Sequence, residues 1–415
     1  MHKKIEHCRI CGNNNLVEVL SLGDQVLTGV FPRSTAERVT KGPLSLVMCK
    51  VRDENQCGLV QLAHSYDLNE LYGSNYGYRS GLNKSMVIHL HDKVRNILGI
   101  TRLEKGDLVI DIGSNDSTSL QAYPRKDYTL VGIDPTGEKF REYYPSHIQL
   151  IPDFFSIEKV REYFGEKKAK VVTSFSMFYD LEQPLQFMRE VYDVLASDGI
   201  WVFEQSYMPT MIETNSYDTI CHEHLEYYAL SQIKWMTDRV GFKIVAVEMN
   251  DINGGSFSVT VSKKDADYPE ALNLEKVLEK ERSLGINGEA YYAAFFGRVK
   301  KAKADFLDFV SKASAEGKTI FGLGASTKGN VLLQYCGVTP DQIKFIGEVN
   351  TDKFGCYTPG TLIPIISEEA ALEKNPDYLV VLPWHFRRFF ENNMKFKGRR
   401  LVFPLPNLEI IGNSK

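Results

Sequence analysis

Apolar residues fall in short unbroken runs along most of this chain, each closed by Gly, Asp, Asn or Ser and separated from the next by a stretch with helical spacing. DLVIDIG (107–113), YTLVGID (128–134), IQLIPDFF (148–155), AKVVTSFS (169–176) and GIWVFEQ (199–205) are the clearest of them. Runs of strand length between helical stretches predict buried parallel strands, so this part reads as a doubly wound α/β sheet. A helical run from about Asn83 to Leu98 leads into it. KIVAVEMN (243–250) and GSFSVTVSK (255–263) follow as a close pair around Asp251–Gly254 and predict a terminal hairpin. Between Ala266 and Gly317 the chain is charged and helical, and then alternation resumes. KTIFGLG (318–324), a helix near Lys328–Tyr335, KFIGEVN (344–350), YLVVLPW (378–384), a helix from about His385 and RRLVFPLP (399–406) predict a second α/β unit. The division that results is 1–66, 67–265 and 266–415.

Composition narrows the function class. Over 415 residues, 49 Lys and Arg stand against 53 Asp and Glu, a net charge of −4. That balance lacks the basic footprint of a nucleic-acid binder and leaves an enzyme acting on small molecules as the default. The first residues, MHKKIEHCRICG, carry Lys but no apolar segment, and no stretch reaches the roughly 18 apolar residues that span a bilayer. Seven cysteines, an odd number, fit a reducing compartment, so the expected location is the cytoplasm with no membrane partner. Oligomeric state is not legible.

Four of the seven cysteines cluster in the first segment, Cys8 and Cys11 as CRICG, then Cys49 and Cys57. A CxxCG knuckle turns two thiolates toward one ion, and a second pair closes a tetrahedral site. The expectation is one structural zinc with all four positions filled by protein. In the middle segment VIDIGSNDS (109–117) ends a strand and opens a helix, with Asp111, Gly113 and Asn115 at the turn, and Asp134 ends the next strand. Gly at such a turn lets backbone approach a ligand, and an acid at the second strand end holds ribose hydroxyls. A single Gly where a pyrophosphate cradle has three disfavours NAD and points to a nucleoside without phosphates, S-adenosylmethionine. Asp153 and Phe154 close the third strand where the purine would lie. Tyr72, Tyr76 and Tyr78 either close over the sulfonium by cation–π attraction or pack beneath the zinc module.

Taken in order, the CxxCG module, the SND turn, CHEHLEYY (221–228), INGGS (252–256), GASTKGN (324–330) and PGTLIPI (359–365) resemble the zinc-containing, S-adenosylmethionine-dependent sugar C-methyltransferases of deoxysugar pathways. The resemblance covers nearly the whole chain. It implies a zinc-binding N-terminal module, a central Rossmann-like class I methyltransferase domain and a C-terminal Rossmann-like domain that helps hold a nucleotide-linked keto-deoxysugar.

The densest chemistry lies at 217–228, with two His, two Glu and three Tyr. HEH lacks the i, i+4 spacing of a catalytic zinc helix, which leaves a buried hydrogen-bonded cluster or proton abstraction beside a ketone. Carbon methylation requires the latter, since a sugar carbon becomes a nucleophile only after losing its proton. The resemblance places the base at His224 with Glu223 beside it; Tyr217 and His222 complete the candidate set. Relatives commonly carry Tyr where this chain has Cys221, so the role of that hydroxyl is open. Asn253 and Ser256 form either a sugar-facing turn or a plain hairpin turn. Ser326, Lys328 and Asn330 sit where a helix N-terminus would receive a diphosphate, and His385 ends a neighbouring strand. O-methylation, epimerisation on the same fold, and a zinc-ribbon nucleotide-binding protein are the competing functions.

Overall fold

The computed structural model describes residues 2–71, 78–125 and 127–412. Its first unit is built from five strands, β1 (His2–Lys4), β2 (Leu16–Val26), β3 (Lys41–Cys49), β4 (Val60–Leu62) and β5 (His64–Tyr66). β2, β3 and β4 form an antiparallel sheet, and β1 pairs with β5 beside it. The knuckle closes where Gly12 N–H donates to the Cys8 carbonyl at 2.9 Å, with Gly12 at φ +71. Cys49 ends β3, and Cys57 precedes β4. All four Sγ atoms lie within 4.8 Å of one another, with Cys8–Cys57 and Cys11–Cys49 at 3.5 Å. Thiolates at about 2.3 Å from a tetrahedral zinc stand about 3.8 Å apart, so the donor set fits that ion and leaves no open position.

The middle unit holds β6 (Leu108–Ile112), β7 (Thr129–Ile133), β8 (Ile148–Ile151), β9 (Ala169–Phe175), β10 (Leu195–Ser206), β12 (Phe242–Asn250) and β13 (Ser256–Lys263), with the short β11 (Glu226–Tyr227) between them. Its sheet runs β12-β13-β10-β9-β6-β7-β8. β6 to β10 are parallel, while β13 enters antiparallel between β10 and β12. The helix Lys84–Ile100 covers one face with Val94 and Ile97 against Val109, Val171 and Val202. Helices Pro184–Val194 and Leu230–Val240 cover the other around Trp201 and Phe203. Covering both faces explains why these strands read as unbroken apolar runs. One expected element is corrected: no α-helix opens after Gly113. Asn115 and Ser117 take positive φ (49 and 62), which a helix cannot contain, and the segment reaches only a 3₁₀ turn at Leu120–Ala122.

β11 does not join this sheet. It pairs antiparallel with β4, Glu226 opposite Gln61 and Tyr227 opposite Val60, and extends the first unit's sheet to β11-β4-β3-β2. Leu62 N–H donates to the Leu225 carbonyl at 2.8 Å just before the pair.

The last unit contains β14 (Ile320–Leu323), β15 (Ile346–Glu348), β16 (Ile365–Ser367), β17 (Tyr378–Val381), β18 (Leu401–Phe403) and β19 (Glu409–Ile411) in the order β16-β15-β14-β17-β18-β19. The first five are parallel and β19 is antiparallel, a Rossmann-like sheet. Its helix Thr327–Cys336 seals it to the first unit. Gln334 pairs with both backbone groups of Val26 as a strand neighbour would, at 2.8 and 3.0 Å, and Asn330 Nδ2 donates to the Thr28 carbonyl at 2.7 Å. No helix among the described residues is long and apolar enough to cross a membrane.

Because the cysteine cluster holds β3, β4 and the knuckle together, metal analysis is expected to find one zinc per chain. Cys8→Ser is expected to lose it and to lower Tm by about 3–5 °C, the shift that a few kcal/mol makes in a chain of this size. Full zinc occupancy and unchanged Tm in that variant would contradict the assignment.

Candidate active site

At the carboxyl edge of the middle sheet, the turn after β6 is held by the acid that ends β7. Asp134 Oδ2 accepts from Asn115 N–H at 2.7 Å, while Oδ1 accepts from the Thr136 backbone and hydroxyl, each at 2.6 Å. Gly113 sits at φ +72, where an added Cβ would meet Met177 Cγ at 3.0 Å, so the turn passes close to the strand end only as Gly. Asp111 points inward and accepts from Thr173 Oγ1 at 2.5 Å; burial raises its pKa to about 7. Asp153 and Phe154 end β8 on the surface, Asp153 paired with Lys159 at 3.0 Å and Phe154 half exposed. The segment after the 72–77 stretch folds over the turn. Ser80 and Gly81 N–H groups donate to Asn115 Oδ1 and Asp116 Oδ2 at 3.0 and 2.8 Å, and Asn115 Nδ2 reaches the Tyr78 carbonyl at 3.2 Å. Tyr72 and Tyr76 lie outside the described residues. A Gly turn with a buried acid, overlain by the half-exposed Tyr78, fits an adenosyl group.

Across the carboxyl end of β10 lies the 217–228 segment. His224 Nδ1 is 2.9 Å from the Thr219 carbonyl oxygen. A carbonyl only accepts, so Nδ1 carries the proton and Nε2 keeps its lone pair. Burial, and then the charge of Lys328, lower the His224 pKa to about 4, which keeps the ring neutral at physiological pH. Tyr179 stands edge-on to the ring at 4.4 Å. A small closed cavity beside it is lined by Tyr179, Ser206, Met208, Thr219, His224 and Glu226 among others.

The other three candidate catalytic side chains face elsewhere. His222 is wholly buried against the first unit, edge-on to Tyr66 with Nδ1 3.4 Å from Thr28 Oγ1; its pKa falls to about 3 through burial. Glu223 also reaches Thr28, at 3.5 Å, and its Oε1 lies directly over Gly29, in the space a Cβ there would need. Burial raises its pKa. Tyr217 packs edge-on against Tyr335 on the C-terminal unit, fully buried. HEH therefore splits: one imidazole borders the cavity and the other is part of an interface, because β11 pulls the following residues into the first unit's sheet.

The C-terminal unit supplies a facing wall. Lys328 Nζ donates to the Asn253 carbonyl at 2.6 Å, and its charge depresses the pKa of both His224 and His385. The Asn253–Gly254 turn, with Asn253 at φ 55, runs against the strand end that carries His385, so that a Cβ on Gly254 would stand 3.8 Å from His385 Cβ. Asn253, Lys328 and His385 are thus gathered near His224. Ser256, Ser326 and Asn330 are not: Ser256 Oγ donates to the Ile252 carbonyl at 2.9 Å, Ser326 Oγ accepts from Gly329 N–H at 3.0 Å as the helix cap, and Asn330 ties the helix to Thr28. The spacing of GASTKGN gave no sign of this, since cap, tie and ligand residues share one composition. Sequence reasoning passed over Asp218, which accepts from Trp384 Nε1 at 2.8 Å across the cleft, and Arg9 inside the knuckle, whose guanidinium reaches the Leu62 carbonyl and Ser65 Oγ at 2.7 and 3.0 Å. An Arg between two ligand cysteines was the available signal.

Comparison with known proteins gives three consecutive matches. Residues 8–72 match a zinc binding domain, residues 88–247 a methyltransferase domain, and residues 251–406 the C-methyltransferase C-terminal domain. The chain is 30% identical over 415 residues to the C-methyltransferase NovU of Streptomyces niveus, covering 99% of this chain and 97% of that protein. Among solved structures it is similar to the plantazolicin methyltransferase BpumL in complex with SAH (12% identity, 43% of this chain, 84% of that chain, TM-score 0.34) and to YcgJ from Bacillus subtilis (11%, 42%, 100%, 0.34). Full-length identity to NovU, together with a cysteine site that fits zinc and a strand-end turn that fits an adenosyl group, makes the chain a member of the zinc-containing, S-adenosylmethionine-dependent C-methyltransferases.

Proposed function

We propose that this C-methyltransferase methylates a ring carbon α to the keto group of a nucleotide-linked deoxysugar, with His224 as the base that first removes the carbon-bound proton. The observation that carries this reading is the Thr219 carbonyl on Nδ1, which fixes the tautomer and leaves Nε2 as a proton acceptor. Bound S-adenosylmethionine supplies an electrophilic methyl group, and Asp134, Gly113 and the exposed Tyr78 and Phe154 would hold its nucleoside. His224 takes the α-proton, and the electron pair left behind becomes the enolate that attacks the methyl carbon. Lys328, hydrogen-bonded to the Asn253 carbonyl, is placed to meet the negative charge of the enolate or of the diphosphate. Asn253 and His385 stand beside it for the sugar. A cytoplasmic location suits a chain none of whose seven cysteines forms a disulfide.

Two outcomes test the reading. With S-adenosylhomocysteine in place of the donor, wild-type protein in heavy water is expected to exchange deuterium into the α position of the sugar nucleotide. His224→Asn is expected to lose exchange and methylation by about 10²–10⁴-fold. Calorimetry should find its affinity for S-adenosylhomocysteine unchanged, whereas Asp134→Ala loses roughly one to three kcal/mol of that binding. Methylation by His224→Asn near the wild-type rate would remove His224 from the role.

The pH profile gives the second. Since protonated His224 cannot act as base, the acid limb of kcat/KM is expected near pH 4, where the buried ring titrates. Lys328⁺ opposes a second positive charge on the ring, so Lys328→Met should raise the His224 pKa and move the limb upward toward the ordinary histidine value. A limb that stays in place or moves down in that variant would contradict the assignment.

A further inference from the structure

Glu226 lines the same small cavity as His224, and beyond its ion pair with Arg9 the carboxyl is left with little to hold it. It is 2% exposed, and neither carboxylate oxygen is held in a hydrogen bond among the described residues. A carboxyl group shut away from water without a hydrogen-bonded partner is costly to a fold, and buried polar groups left in this state are concentrated at functional sites. A plain spacer at this position of β11 would need no acid, because the backbone pairing with Gln61 and Val60 is independent of the side chain.

The groups facing Glu226 come from three elements. From the zinc knuckle, Arg9 Nε stands 3.9 Å from Oε1. From the turn after β9 come the Leu181 backbone amide, Asp180 and Glu182, the last of which also meets Arg9 Nε at 3.2 Å and is partly open to solvent. From its own segment, His224 lies across the cavity. The cavity is about the size of one water molecule. Glu226 therefore lies between the imidazole on one side and, on the other, the buried Arg9 guanidinium and the partly exposed Glu182 carboxylate.

We propose that Glu226 is the proton outlet of the site, receiving through one cavity water the proton that His224 removes from the substrate carbon and passing it toward Glu182 and solvent. This rests on His224 acting as base. In the first step the substrate C–H bond breaks, an N–H bond forms at His224 Nε2, and the electron pair stays on the substrate as the enolate. Methyl transfer then forms the C–C bond as the donor's S–C bond breaks. Glu226 starts as the neutral carboxylic acid, which burial favours. In the outlet step the imidazolium N–H breaks toward the water, one water proton forms an O–H bond on the inner Glu226 oxygen, and the O–H bond on the outer oxygen breaks as that proton passes to the Glu182 carboxylate and solvent. One proton leaves for each methyl delivered, and His224 returns to its basic form. Burial supports the direction of flow. It lowers the imidazole's affinity for a proton and raises that of the Glu226 carboxyl, which Arg9 only partly offsets.

The experiment compares wild type with Glu226→Gln, which keeps size and polarity but removes the acid, using whichever member of a panel of nucleoside-diphosphate 4-keto-6-deoxyhexoses the wild-type protein methylates. The first turnover, measured by rapid quench, is expected within about 2-fold of wild type, because His224 begins in its basic form. Steady-state turnover is expected to fall about tenfold or more, toward the range of lost proton-transfer catalysis. Deuterium wash-in with S-adenosylhomocysteine should fall in parallel, since the abstracted proton returns to the carbon instead of leaving, and Glu226→Asp should recover part of both. Equal steady-state rates and wash-in in Glu226→Gln and wild type would overturn the proposal, as would a first turnover slowed as much as the later ones. Should Gln at this position prevent folding, wild type alone decides it: a solvent isotope effect on steady state and none on the first turnover supports the outlet, and equal effects overturn it. Failure of His224 itself reads out separately, as wash-in that survives His224→Asn.

Discussion

Two backbone residues set the shape of the active site. β11, Glu226–Tyr227, is drawn out of the methyltransferase unit to become the edge of the zinc module's sheet, paired with β4. The same few residues that carry His224 are thereby fastened to a strand lying directly after the ligand Cys57. Arg9, between the ligands Cys8 and Cys11, adds a second tie: its guanidinium donates to the Leu62 carbonyl and Ser65 Oγ and stands beside Glu226. A guanidinium buried this deeply is tolerated because nearly all its donors are used, and it fixes the distance between the knuckle and the 221–228 segment. Further contacts point the same way, with Gln232 Nε2 donating to the Cys57 carbonyl at 3.1 Å and Trp235 Nε1 to the Glu54 carbonyl at 3.0 Å. The zinc site performs no chemistry in this arrangement. It stiffens the support on which His224 is mounted.

The third unit depends on the same support. Asn330 and Gln334 bind its helix to Thr28 and Val26 of the first unit, and that helix carries Lys328 to the cleft. The two Rossmann-like sheets repeat one local device: the acid ending the second strand accepts from the backbone after the first, Asp134 from Asn115 N–H and Glu348 from Ala325 N–H, each at 2.7 Å. In the middle sheet the device holds the turn beneath the half-exposed Tyr78. In the C-terminal sheet it positions Ser326 to cap the helix, so the charged end of the turn is Lys328 rather than a ring of free amides.

What the sequence showed and what it hid follow from range. The parallel strands were legible because both faces of each are covered, so VIDIG or VVTSF is apolar throughout, and four cysteines in one short segment announce a metal whatever the fold. The turn after Gly113 was misread as a helix start because a Ser-Asn-Asp string also suits a cap; Asn115 and Ser117 instead adopt left-handed backbone, a choice enforced by Asp134 and by the Ser80–Gly81 amides above. Within CHEHLEYY, composition could not separate His222 from His224. Their environments differ through β11, a two-residue strand with no periodicity of its own whose partner lies far earlier in the chain. Asn330 and Ser326 were hidden for a similar reason, since tying one unit to another leaves no local pattern.

Hydrogen exchange read residue by residue, before and after removal of zinc from the 415-residue chain by a chelator, tests the claim that the metal module holds the segment carrying His224. Loss of protection at residues 221–228 together with 8–62, while β6 to β10 keep theirs, is the predicted result. Retained protection at 221–228 in zinc-free protein whose knuckle has opened would contradict it.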